Sequence, residues 1–108
     1  MANTFKLKTK ANVGVTTSNV YVVPSATTTV VIGVTLSNTS GSSINVGVGV
    51  TRPSADDVSL MKNVPIPQGS SFEFMSGNKV VLETTDTLTA ESDVNNSLDV
   101  ALTIMEIT

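Results

Sequence analysis

The 108 residues include six basic and nine acidic side chains, for a net charge of −3; charged residues make up 14% and aromatic residues 4%. Cysteine, histidine and tryptophan are absent, which removes disulfides, thiolate metal sites and the commonest general base and metal ligand. There is no basic surplus of the kind that phosphate neutralisation requires, so nucleic acid is not expected as a partner, and the length suits one domain over residues 1–108.

The chain opens Met1-Ala2-Asn3-Thr4-Phe5-Lys6, without the apolar stretch of a leader. Its longest apolar run, Val30-Val31-Ile32-Gly33-Val34, is far short of a membrane span. Synthesis in a cytoplasm and no membrane partner are the expectation. Phe5–Val13 is the first candidate strand. Within it Lys6, Lys8 and Lys10 recur at every second residue and so share one face. They would either dock an acidic partner surface or keep an edge strand from pairing with its neighbours.

Asn19–Val23 follows, closed by Pro24-Ser25. Then Val30, Ile32, Val34 and Leu36 alternate with Thr29, Gly33 and Thr35, with Val31 the one exception on the polar face. After the turn formers Asn38-Thr39-Ser40-Gly41-Ser42, Ile44, Val46, Val48 and Val50 alternate with Asn45, Gly47, Gly49 and Thr51. Period two over this length predicts half-buried strands, and the short polar loop predicts that they form an antiparallel hairpin. Gly33, Gly47 and Gly49 lie opposite the apolar stripes. They would make a flat patch for a partner or sister subunit, or they relieve crowding in a bent sheet.

Shorter candidates are Val58–Lys62, Ser71–Met75, Lys79–Thr84 and Thr87–Glu91. Pro53-Ser54, Pro65-Ile66-Pro67-Gln68-Gly69, Ser76-Gly77-Asn78 and Asn95-Asn96 supply the punctuation. Leu98, Val100, Leu102 and Ile104 form a last stripe. No window carries a helical stripe. Eight to nine short strands predict an all-β fold, an antiparallel β-sandwich of jelly-roll type. One internal echo joins Val23-Pro24-Ser25-Ala26-Thr27-Thr28 to Ile66-Pro67-Gln68-Gly69-Ser70-Ser71, each ending one strand and beginning the next.

The acids Asp56 and Asp57, and the group Asp86, Glu91 and Asp93, read as solvated loop acids. A glycosidase pair would need a walled cleft, and few aromatics are present to wall one. The stretch from Asp86 to Asp93 is not the calcium-loop pattern, although a calcium ion held by loop oxygens stays open. The serines have no histidine to activate them. No catalytic, cofactor-binding or metal-ligating residues are expected, and the chain reads as a non-enzyme.

The runs from Val23 to Asn38, from Val64 to Ser71, from Lys79 to Leu88 and the closing Ile104-Met105-Glu106-Ile107-Thr108 also occur in a familiar order. A Val-Pro-small-Thr-Thr turn opens a long strand ending in Asn-Thr. A Pro-Ile-Pro turn follows, then an apolar strand with Asp-x-Leu, then Glu-Ile-Thr. The order resembles small virion structural proteins of tailed phages, especially T4-like cyanophages, across nearly the whole chain. The resemblance implies a non-catalytic protein of the virion, made in the host cytoplasm and present in many copies. It would bind capsid, neck or tail proteins as a decoration, cement or accessory subunit, as a homo-oligomer, a trimer among the forms expected. The alternative is a receptor- or glycan-binding module, with end loops holding Asp56, Asp57, Asn78, Asn95 and Asn96, and Tyr21 for stacking.

Overall fold

The computed structural model describes residues 2–53, 55–74 and 79–108. They form nine strands: β1 Asn3–Val13, β2 Ser18–Val22, β3 Thr28–Asn38, β4 Ile44–Thr51, β5 Val58–Ile66, β6 Ser71–Phe74, β7 Val80–Leu82, β8 Thr87–Ser92 and β9 Leu98–Ile107. All pairings are antiparallel. Sheet A has the order β1-β9-β3-β6, with β7 also on β3, and sheet B the order β2-β8-β4-β5. Most connections step from one sheet to the other, the arrangement of a jelly roll built of two Greek keys. The fold is therefore the all-β antiparallel sandwich that the alternation predicts.

The core lies between the sheets. Leu36, Leu98, Leu102 and Ile104 of sheet A meet Ile44, Val46 and Leu88 of sheet B, all essentially inaccessible. β9 sits between β1 and β3, and its burial alternates residue by residue. The extended backbone sends successive side chains to opposite faces, so its period-two sequence maps directly onto inside and outside.

Two expectations are corrected. The stripes on either side of the Asn38–Ser42 loop do not form a hairpin: β3 pairs with β6, β7 and β9, and β4 with β5 and β8. The loop crosses the sandwich because both stripes must bury the same kind of face, and they bury it against each other. Asn38 holds this crossing. Its amide donates to the carbonyls of Ser42 (2.8 Å) and Ile66 (2.9 Å), and its Oδ1 accepts from the Ser40 N–H (2.9 Å).

The buried face of β3 is the second correction. Val31, the supposed exception, is fully buried, whereas Val30 and Ile32 are only half-buried. The register with β9 slips between Val31 and Gly33. A bulge adds one residue to the count, and every side chain before it changes face. The inward set is Thr29, Val31, Val34, Leu36 and Asn38.

β5 runs past the expected Lys62 to Ile66 and includes Pro65, opposite Asn45. It tolerates proline because it is an outer strand of sheet B. The echoed turns share a geometry as well as a sequence. Ala26 (φ 52°) and Gly69 (φ 71°) occupy the same position after proline, and the Ser70 N–H donates to the Pro67 carbonyl at 3.1 Å. Both turns carry the chain from sheet B to sheet A. The expected breaks at Ser54 and Ser76-Gly77-Asn78, and the end of the sixth strand at Met75, lie outside the described residues.

Candidate interaction surface

β1 is an outer strand of sheet A and pairs with β9 without interruption from Asn3 to Lys10. Lys6, Lys8 and Lys10 stand opposite Ile104, Leu102 and Val100, members of the buried stripe of β9. Directly opposed residues share a face, so the lysines lie on the inner side. The Lys6 ammonium reaches Glu106 at 2.8 Å, and that of Lys8 lies 5.9 Å from the centre of the Tyr21 ring. Lys10 is exposed. Inward-pointing charge on an outer strand discourages a further strand from pairing there.

Glu106 continues the inward stripe of β9 and is 6% exposed. Besides Lys6 it accepts a hydrogen bond from the Tyr21 hydroxyl at 2.5 Å. That hydroxyl also bonds the buried Thr29 hydroxyl at 2.8 Å. A buried carboxylate is costly unless paired and hydrogen-bonded, and here both conditions hold. The hydrogen bonds from Lys6 and then Tyr21 hold Glu106 below the usual carboxylate range against the opposing effect of burial. Burial first, and then the bond to Glu106, push the Tyr21 phenol up to about 12. Tyr21 is 6% exposed; the expected stacking aromatic is in fact a buried cross-link between the sheets. The signal for this cluster was legible: Glu106 falls on the period-two positions set by Leu98, Val100, Leu102 and Ile104.

The three glycines do not form one patch, because β3 and β4 lie in opposite sheets. A Cβ at Gly33 would meet nothing within 4 Å. At Gly49 it would come within 3.0 Å of the Val58 carbonyl, and at Gly47 within 3.4 Å of the Met61 carbonyl. Both carbonyls belong to β5, whose register with β4 slips twice between Val46 and Gly49. Gly47 and Gly49 make room for those bulges within their own sheet. Gly47 is buried, so it offers no surface to a partner.

The loop acids are also redistributed. Asp57 accepts from the Arg52 N–H at 2.8 Å, while Asp56 is exposed. Asp86 is not a solvated acid: it is 4% exposed and takes the Arg52 guanidinium at 3.1 Å and the Glu83 N–H at 2.9 Å. Nor is it near Asp93. The six residues of β8 separate them, about 20 Å of extended chain. Among the described residues no group of three acids could hold a metal ion. Asn95 and Asn96 turn the chain between β8 and β9; Asn95 Oδ1 accepts from the Val15 N–H at 3.2 Å, and Asn96 has φ 53°. Asn78 lies outside the described residues. A cleft of about 330 Å³ on sheet B is lined by Asn45, Lys62, Asn63, Glu91 and Asp93, among others, and has no aromatic wall.

The outer face of sheet A differs from all of these. Phe5 opposes Met105, Met105 opposes Val30, and Val30 opposes Val81, a row across four strands. Leu7 and Ile107 flank it on the same face. Phe5 is 70%, Leu7 64% and Val81 58% exposed. Directly beneath, the inner side carries Lys6, Glu106 and Thr29. This end of the sheet is partly inside out, with charge toward the core and large apolar side chains toward solvent. Buried polar groups and exposed apolar patches are the informative departures from ordinary burial, and here they coincide. Sequence reasoning missed the row because Phe5 and Val30 were separated from their neighbours in the chain, and the bulge in β3 hid which valine faced out.

No family model and no curated protein matches the chain. Among solved structures it is similar to a chain of the Bacillus endospore appendages, described as a novel family of disulfide-linked pili. The two share 12% identity and a TM-score of 0.60, over 99% of this chain and 87% of that one. At this identity the likeness is one of fold alone. The disulfide link has no counterpart in a sequence without cysteine.

Proposed function

We propose that the protein is a non-enzymatic structural subunit that works by packing against other subunits, and that its assembly is the particle of a tailed phage. The observation that carries the first half is the apolar row on the outer face of sheet A, exposed at an end where the inner side holds charge. Contiguous exposed apolar surface of this kind marks protein contacts. The fold it shares with a pilus chain supports a role in building a multimer. The phage particle rests on the resemblance of the turn and strand motifs to virion proteins, as a decoration, cement, neck or tail accessory. Many weak contacts repeated through a lattice would give strong attachment by avidity. Mass spectrometry and cryo-electron microscopy of purified source particles test this. The expected result is the chain in many copies, with density that fits the sandwich; particles without it would refute the phage assignment.

A further inference from the structure

We infer that the outer face of sheet A is the docking surface for a second copy of this chain, sheet against sheet across a two-fold axis near Met105. This docking mode rests on the subunit reading above and names its first partner.

Three observations select a second copy. The first is charge. The rows Asn3–Ile107–Thr28, Phe5–Met105–Val30–Val81 and Leu7–Thr103–Gly33 contain no ionisable side chain; charge enters only at the margins, with Lys79 and Glu83 two residues either side of Val81 and Glu73 and Asp99 in the other half of the face. A surface with an uncharged centre has no sign to match there and complements itself across a two-fold axis. The chain's net charge of −3 on few charged residues opposes the approach of two copies only weakly.

The second observation is the state of the sheet edges. Two copies joining β1 to β1 would set lysine stripe against lysine stripe, since Lys6, Lys8 and Lys10 share a face. β5 is interrupted by two register slips and Pro65, β2 is five residues long with a register slip between Asn19 and Tyr21, and β6 and β7 are four and three residues long. Edge pairing is thus hindered, while the face is open.

The third observation is area. Phe5, Leu7 and Val81 are more than half exposed and Val30, Met105 and Ile107 half-buried, so with large side chains on a scale of ~150–200 Å² the six expose on the order of 400–500 Å² per copy. Two such faces bury at most roughly 1,000 Å², the lower bound for a specific interface. Sheets pack in this way at about 30° with interdigitated side chains. A dimer of this size is weak alone and suits a subunit whose attachment is multiplied in an assembly.

Sedimentation equilibrium of the full chain, up to about 500 µM, tests the inference. The wild type should show a concentration-dependent dimer in the micromolar range or weaker. The double variant Phe5→Ser/Leu7→Ser and the single variant Val81→Lys, on opposite margins of the face, should each weaken it at least tenfold. Val22→Ser, on the outer face of sheet B, should leave it unchanged. Circular dichroism melts establish that each variant is folded, and Val81→Lys leaves β1 untouched should the double variant fail. A wild type monomeric throughout, or a dimer indifferent to both surface variants, would overturn this docking mode. Presence of the chain in particles is scored separately: a chain found there but monomeric in solution would leave the subunit role standing and remove this interface, and a dimer absent from particles would keep this interface and remove the phage assignment.

Discussion

On the outer face of sheet A, Phe5, Met105, Val30 and Val81 line up across four strands. The outer face of sheet B instead presents Asn45, Gly47, Gly49 and Thr51 along β4, with Glu91, Thr89 and Thr87 opposite the last three. Both faces alternate with a buried stripe, so simple amphipathicity does not distinguish them. Sheet B gave up side chains because the bulged β5 brings its own carbonyls close. Sheet A has no such crowding around Gly33, yet it keeps large apolar groups in water. Glycine in a strand here reports on the strand next door, while an exposed apolar row reports on something outside the chain.

The largest effects should come from the shared core and should not discriminate between the faces. Leu102→Ala in sheet A and Leu88→Ala in sheet B, both fully buried, should each cost about 2–5 kcal/mol in denaturant unfolding. A sheet that lost much less would be held by something other than this core, and the comparison of outer faces would have to be redrawn.

Next come substitutions at the inside-out end. Tyr21→Phe leaves Glu106 and Thr29 without the hydroxyl they share, and should cost roughly 1–3 kcal/mol. An unchanged melting temperature would mean that the charge beneath the apolar row needs no anchoring.

The glycines offer a direct contrast. Gly49→Val must displace the Val58 carbonyl and should lose about 1–3 kcal/mol. Gly33→Val enters open space and should stay within about 0.5 kcal/mol. Equal costs at the two sites would undo the account of sheet B.

pH gives the smallest signal. Glu106 has a lowered folded pKa, so its contribution is present above the ordinary carboxylate range and fades as pH falls through the folded value. Tyr21 has a folded pKa raised to about 12. Its contribution is complete below the ordinary phenol value of roughly 10 and fades as pH rises toward the folded value. Melting temperature should therefore drop at both extremes. Tyr21→Phe should flatten the Tyr21 part of the alkaline limb, whereas Val22→Ser should not.

Much of the architecture was legible because β-branched alternation is a local signal. The stripe from Leu98 to Ile104 gave its buried face correctly, and the two Pro-containing turns were recognised by their shared order. Legibility ended wherever one residue changed the count. The bulge between Val31 and Gly33 exchanged the inner and outer roles of Val30 and Val31, which no alternation pattern marks. The glycines looked alike in sequence because crowding from β5 is a property of neighbours about ten residues away along the chain. The lysines were correctly set on one face of one strand, but which face followed only from their opposition to Ile104, Leu102 and Val100.

Composition and period two by themselves determined that the chain makes short antiparallel strands around an apolar interior, since a pleated backbone alternates its faces whatever its partners are. Strand partners, the interior placement of Glu106 and Tyr21, and the apolar row left outside were decided only in three dimensions. Pairing and bulging depend on which strands compete for the same neighbour, and that competition is settled by packing the whole sandwich at once.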